Sequence, residues 1–194
     1  MDLILQFWGG GCYLLNKIFF ALAEGKREQL KRQLRIIGWA LYILGVPAWV
    51  IILIDKHDWI AAAIEAGGLP AMLLGLINAY RNTNQSRSRF DTFVTFATYS
   101  ALLFGIGYSL YDYGGITTLS QGLEIGVMIG FLLGSYLLAK KNPSGWLFFM
   151  LMNLSMASLM LLQNKLLLTI QQLISPCFVI YGFLMATRSS SRKH

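Results

Sequence analysis

Long apolar runs separated by short polar connectors fill almost the whole chain. Seven of these runs approach or exceed the length of about 20 residues that an α-helix needs to cross a lipid bilayer. They cover residues 4–24, 36–55, 59–80, 91–112, 116–139, 145–163 and 166–187. Asn16 and Lys17 interrupt the first run, which we keep as a mature helix because no basic segment of the signal-peptide type precedes it. The pattern therefore predicts an all-α integral membrane protein with seven transmembrane helices.

Composition supports a membrane protein and argues against several other classes. The 194 residues are 56% hydrophobic and only 13% charged, whereas soluble domains carry about 25% charged residues. Cys12 and Cys177 supply neither a disulfide framework nor a zinc cluster, and His57 and His194 have no ligand-type neighbours at metal spacing. The sequence shows no Ser–His pair and no closely spaced catalytic carboxylates on one helix. We therefore predict no metal, no cofactor and no enzymatic activity.

Basic residues are concentrated in every second connector. Thirteen of the sixteen Lys and Arg residues lie in connectors one, three and five and in the C-terminal tail. They are Lys26, Arg27, Lys31, Arg32, Arg35, Arg81, Arg87, Arg89, Lys140, Lys141, Arg188, Arg192 and Lys193. Because basic connectors stay in the cytoplasm, the N-terminus is predicted outside and the C-terminus inside. The net charge of +7 thus marks topology, and the lipid bilayer rather than nucleic acid is the predicted partner.

A weak internal repeat relates the two halves of the chain. A shift of 107 residues places Trp39 on Trp146 and Gly75 on Gly182. Both segments are pairs of helices that begin and end at the predicted cytoplasmic side. With one more helix each, they become three-helix units that reverse sides, so one linker helix between them gives the two units the same orientation. We predict three helices in residues 1–81, a linker helix within 82–114, three helices in 115–188 and a basic tail at 189–194. Parallel repeats of this kind are typical of transporters, with the site between the units near the midplane.

Polar side chains inside the apolar runs are the candidate site residues. An ionised group at the centre of a bilayer costs roughly 2.5–3.5 kcal/mol on insertion scales, so such groups face a cavity or a partner. Glu65 in the third helix and Glu124 in the fifth are the strongest candidates. The others are Gln121, Trp49, Trp146, Asn153, Gln171, Gln172 and Tyr181. Together they predict a pocket with aromatic walls, amide groups and two carboxylates, which suits a flat, polar and cationic small molecule.

The fifth helix also carries four glycines at four-residue spacing, Gly122, Gly126, Gly130 and Gly134. Small residues on one stripe let the backbones of neighbouring helices approach closely in a membrane. We interpret the stripe as a packing surface.

The segment from residue 121 to residue 182 resembles the second half of the nicotinamide riboside transporter (PnuC) family. The resemblance is carried by Glu124, Lys140, Lys141, Trp146, Leu147, Phe148, Phe149, Asn153, Gln163, Thr169, Gln171, Tyr181 and Gly182. Gly145 and Phe149 depart from the family pattern, in which an Asn precedes the first Trp of helix six and a second Trp follows. The first half resembles the family more loosely, mainly through Glu65 and Gly75.

The resemblance implies a three-plus-one-plus-three fold shared with the SWEET sugar transporters, in the inner membrane of a bacterium. It implies uptake of a vitamin or nucleoside-like ring compound, such as nicotinamide riboside or thiamine, by facilitated diffusion. A cytoplasmic kinase would then trap the cargo. Two alternatives remain: a SWEET-type sugar porter, and a membrane scaffold that transports nothing. A small-molecule substrate is the predicted partner, and a homo-oligomer is compatible with the sequence.

Overall fold

The computed structural model describes residues 2–55, 57–82, 89–162 and 166–191, which form eight α-helices without a strand. The helices are α1 (Asp2–Ala23), α2 (Glu28–Asp55), α3 (Trp59–Gly67), α4 (Leu69–Arg81), α5 (Arg89–Tyr113), α6 (Leu119–Ala139), α7 (Gly145–Leu162) and α8 (Leu166–Ser191). Each predicted run coincides with described helix over most of its length, the run 116–139 beginning as a helix only at Leu119, and α2 begins a full two turns before its apolar run. Arg87, Gln163, Arg192 and Lys193 lie outside the described residues.

Five segments of the described chain are long and apolar enough to cross a membrane. They are α2, the combined segment Trp59–Arg81, α5, α6 and α7. Their exposed faces carry large apolar side chains, such as Leu103 and Phe96 on α5. A protein with several such helices belongs to the multi-pass membrane class.

The third apolar run is divided into α3 and α4 at Gly68, although the sequence pattern predicts one helix over residues 59–80. Pro70 has no N–H and cannot donate to the carbonyl of Ala66, so the hydrogen-bond ladder is interrupted here. Gly68 lies against the ring of Phe131, where a Cβ atom would collide. By contrast, α8 is continuous through Pro176.

The helices pack in a closed ring. Going round it, α1 packs on α2, α2 on α3 and α4, α4 on α6, α6 on α7, α7 on α8, and α8 on α1. Helix α5 packs against α3, α4 and α6. An aromatic core lies inside the ring of helices. The centroid of the Tyr42 side-chain ring is 6.1 Å from that of Phe131 and 6.0 Å from that of Phe149.

The basic connectors meet at one end of the ring. Glu24 after α1, Asn82 after α4, Lys141 after α6 and Ala186 in the last turns of α8 all line one cavity. We call this end of the molecule the basic end. The structure thus brings together the described connectors that the charge pattern assigns to one side of the membrane.

Candidate functional site

Lys17 is the most deeply buried charged side chain in the ring. It lies on α1 with 2% of its surface exposed, and its ammonium donates to the Oδ1 atom of Asn153 on α7 at 2.5 Å. Asn153 in turn donates to the carbonyl of Phe149 at 2.6 Å. Within the described part of the chain, no carboxylate lies within ion-pair distance of Lys17. Charged groups placed this way inside a membrane protein are typical of functional sites.

One helical turn before Lys17, α1 contacts a carboxylate on α3. Tyr13, four residues before Lys17, donates its hydroxyl to Glu65 on α3. The Tyr13 ring also packs edge-on against Tyr42, with the ring centroids 4.8 Å apart. Residues four apart share a helix face, so α1 presents Lys17 and the Tyr13–Glu65 pair to the same interior region.

Tyr42 and Ser135 complete the polar interior between α2 and α6. Both side chains are buried, and the Ser135 hydroxyl donates to the Tyr42 hydroxyl at 3.1 Å. This bond joins α2 to α6 across the ring, next to the aromatic core.

Several further polar atoms in the interior have no hydrogen-bond partner among the described residues. They are the Nε1 atoms of Trp49 and Trp146, Oδ1 of Asn16, Oε1 of Gln172 and Oγ of Ser175. A buried polar group without a partner costs about 1–3 kcal/mol. These groups lie on α1, α2, α7 and α8, and they are donors and acceptors that a polar ligand or water can satisfy.

The predicted site residues divide into two groups. Glu65, Trp49, Trp146, Asn153 and Gln172 lie in the interior, buried or half-buried. The side chain of Gln171 lies outside the described part of the chain.

Glu124, Tyr181 and Gln121 lie elsewhere. Glu124 is exposed, and Tyr181 is 41% exposed. Gln121 is buried, but its amide is bound to the α5–α6 connector: it donates to the carbonyl of Gly115 at 2.9 Å and accepts from the N–H of Thr117 at 3.0 Å. The structure therefore does not join the two glutamates in one pocket.

The position of Glu124 on its helix explains this separation. The glycine stripe packs α6 against α7, with Gly130 against the backbone of Phe148 and Met152. Glu124 precedes Gly126 by two residues, which turns it by about 200° around the helix, away from α7. The stripe is a packing surface as predicted, except at Gly122, which has no neighbour within contact distance.

Lys17, Tyr13 and Ser135 belong to this interior but are not among the site residues that the sequence pattern predicts, whereas Tyr42 lies on the predicted aromatic face of the second run. In the sequence pattern Lys17 is an interruption of the first apolar run. The available signal was the four-residue spacing of Tyr13 and Lys17, because an intramembrane charge beside a second polar residue on one face indicates an interior surface.

A cavity of about 650 Å³ opens at the basic end. Trp146 lines it, and a narrow recess below it is bounded by Phe20, Trp39 and Leu138. Trp39 and Trp146 are the tryptophans that the 107-residue shift superimposes. Asn153 follows Trp146 by two helical turns, so the Lys17–Asn153 pair lies deeper in the ring than the cavity.

Comparison with protein-family models, with curated proteins and with solved structures finds no match to this chain.

Proposed function

We propose that this protein is a membrane transporter built from two three-helix units, with α5 as the linker. The first unit is α1, α2 and the combined segment of α3 and α4, and the second is α6, α7 and α8. Matched contacts inside the two units support this proposal. Gly75 lies against the indole of Trp39, and Gly182 lies against the indole of Trp146. A shift of 107 residues converts the first contact into the second.

The first helices of the two units match as well, with a longer connector in the first unit. Gly38 on α2 lies against Phe20 and near the carbonyl of Asn16. Gly145 on α7 lies against Leu138 and near the carbonyl of Gly134. Phe20 and Leu138, like Asn16 and Gly134, are 118 residues apart. The same pair of contacts thus positions α1 on α2 and α6 on α7.

The units also meet in a way that a pseudo-two-fold axis produces. Contacts of α1 with α8 and of α4 with α6 close the ring, and exchanging the units converts one into the other. Tyr42 and Phe149 are equivalent positions, and their aromatic rings pack edge-on with the centroids 6.0 Å apart. This contact between equivalent positions supports an axis between them. Parallel repeats about such an axis are a transporter architecture.

The polar interior enclosed by this ring is the observation that carries the proposal. The cavity at the basic end reaches the tryptophans, and along the helices beyond it follow first Lys17 with Asn153 and then Tyr13 with Glu65. We propose that the basic end is cytoplasmic, in the inner membrane of a bacterium, and that rocking of the two units exposes the interior to each side in turn.

The proposed cargo is a vitamin or nucleoside-like ring compound such as nicotinamide riboside or thiamine. The resemblance to the nicotinamide riboside transporter family supports this class. The placement of the charges refines it. Of the two predicted glutamates, Glu65 lies in the interior and suits a cationic ring, while Lys17 suits a carbonyl or hydroxyl acceptor. Nicotinamide riboside offers both, a pyridinium ring together with a carboxamide and ribose hydroxyls.

Uptake of radiolabelled nicotinamide riboside and thiamine into cells lacking their own transporters tests the proposal. We expect Glu65→Gln to lower the uptake rate about tenfold, the value of one charge-assisted contact. Glutamine still accepts the Tyr13 hydrogen bond, so the fold is retained. Glu124→Gln is the matched control, since Glu124 is exposed, and it should leave uptake within about twofold. Absence of uptake of both compounds would remove this cargo assignment.

A non-transporting scaffold is the second candidate, favoured by the burial of Asn153 and Gln172 against neighbouring helices. Purified protein in sealed proteoliposomes separates the two functions. A transporter exchanges external labelled cargo for internal unlabelled cargo, whereas a scaffold leaves the label outside.

A further inference from the structure

We propose that the cavity at the basic end is a binding site for a phosphate-bearing anion. Among the described residues that line it, five are basic and two are acidic. The basic residues are Lys31, Arg32, Arg35, Lys140 and Lys141, and the acidic ones are Glu24 and Glu28. The volume of about 650 Å³ falls within the range of small-molecule sites.

Local contacts hold part of the basic group in place. Glu24, with 4% of its surface exposed, pairs with Lys31 at 2.9 Å and with Arg35 at 2.7 Å. Burial opposes ionisation of Glu24, but Arg35 and Lys31 outweigh it and hold the pKa of the carboxyl below its ordinary value. One carboxylate therefore orders two cations. Lys140 pairs with Asp91, outside the cavity lining, at 3.2 Å. The five basic residues still outnumber the two lining carboxylates and Asp91, so positive charge remains in excess.

Arg32 is positioned by the last turn of α4. Its guanidinium donates to the carbonyl of Tyr80 at 2.5 Å and lies over the Tyr80 ring, 5.7 Å from the centroid. These contacts use only part of the five N–H donors of an arginine. The remaining donors suit a phosphate, which arginine binds through two parallel hydrogen bonds.

Neutralisation of helix ends alone does not account for this arrangement. Helices α1, α4 and α6 end here, and cations near their C-termini are favourable by about 0.3–1 kcal/mol each. Arg81 on α4 and Arg188 on α8 serve such ends without lining the cavity. Lys31 instead belongs to the first turn of α2, where the helix dipole disfavours a cation, and Arg32 and Arg35 lie in the next turn.

Binding of ribose 5-phosphate to the purified protein in phosphatidylcholine nanodiscs tests the site, with ribose as the uncharged control. We expect saturable binding of ribose 5-phosphate that weakens as salt is added, and no binding of ribose. Arg32→Gln should weaken binding about tenfold, as loss of a charged hydrogen-bond donor does. Arg32 is exposed, so the variant should fold, which its unfolding temperature checks.

Two further variants set the sign and the location of the effect. Glu24→Gln removes a competing carboxylate from the cavity and should strengthen binding. Arg81→Gln removes a charge from the same end outside the cavity lining and should leave binding within about twofold. Absence of saturable binding, or an equal loss in Arg32→Gln and Arg81→Gln, would overturn the proposal.

The source of the phosphate follows from the lipid. If nanodiscs containing phosphatidylglycerol abolish binding of ribose 5-phosphate, a lipid headgroup occupies the site. If binding is unchanged in them, the ligand is a soluble phosphate ester. This binding measurement does not depend on transport, so its outcome is separate from that of the proposed function.

Discussion

The two three-helix units that we propose share their packing contacts and differ in their polar side chains. Trp39 with Gly75 and Trp146 with Gly182 are matched contacts. The position equivalent to Glu65 is Gln172, and its Oε1 atom has no partner among the described residues. The position equivalent to Lys17 is Ser135. The frame is therefore nearly symmetric, while both interior charges belong to the first unit.

The third helices of the two units also differ. In the first unit the helix breaks at Gly68 beside Phe131, and Glu65 lies in the short α3 just before the break. In the second unit α8 continues through Pro176, and Ser175 occupies the position equivalent to Gly68. In the transporter that we propose, the first unit therefore provides the charged contacts to the cargo and the second unit the neutral ones.

The charge asymmetry gives the largest expected effect. Asn153→Leu leaves the Lys17 ammonium buried without its partner, and an uncompensated buried charge costs about 3 kcal/mol or more. Unfolding temperatures in detergent should fall strongly in this variant. Lys17→Met combined with Asn153→Leu removes both polar groups and should recover most of the loss. If the double variant is as unstable as Asn153→Leu alone, the 2.5 Å contact does not couple these residues.

Close approach of the first two helices is the next comparison. In the second unit a Cβ atom at Gly130 would collide with the backbone at Phe148 and Met152, whereas in the first unit the glycine is on the other helix, at Gly45 against the side chain of Tyr13. Gly130→Ala should destabilise by about 1–3 kcal/mol, and Gly45→Ala by less because a side chain can move.

Gly122→Ala is the control for this pair in the same thermal unfolding assay. Its Cβ would meet nothing within 4 Å, and alanine favours a helix by up to about 1 kcal/mol over glycine. A loss of stability in Gly122→Ala equal to that in Gly130→Ala would show that helix α6 does not pack as described.

The tryptophan contacts test the repeat itself. A Cβ atom at Gly75 or at Gly182 would meet the indole of its partner tryptophan. Gly75→Ala and Gly182→Ala should therefore lower the free energy of unfolding by similar amounts, about 1–2 kcal/mol each. Chemical unfolding in detergent measures both. Tolerance of one substitution and not of the other would break the equivalence of the units.

The apolar pattern locates the helices more accurately than it identifies the faces that they bury. The break at Gly68 was signalled by Gly67, Gly68 and Pro70, but the helix length alone favoured one continuous span. Glu124 and Tyr181 are predicted inside but are exposed in the structure. The sequence pattern does not reveal this, because a helix that is apolar all round does not show which face meets lipid. Interior positions in such a protein are determined by helix–helix contacts, which the sequence of one chain does not reveal.

The pH dependence of stability should also distinguish the two units, with the smallest effect of these predictions. Glu24 is equivalent to Asn142 in the second unit, so the buried carboxylate paired with Lys31 and Arg35 occurs in the first unit. Its folded-state pKa is lowered, so its contribution to stability is complete above the unfolded pKa of about 4.3 and is lost as the pH falls through the folded value. Unfolding temperatures between pH 7 and pH 3 should fall more steeply below about pH 4 in the natural protein than in Glu24→Gln. Parallel curves for the two proteins would mean that the ion pairs of Glu24 contribute nothing to the free energy of unfolding, which is the behaviour of many exposed ion pairs. The connector of the first unit would then have no more electrostatic effect on stability than the connector of the second unit.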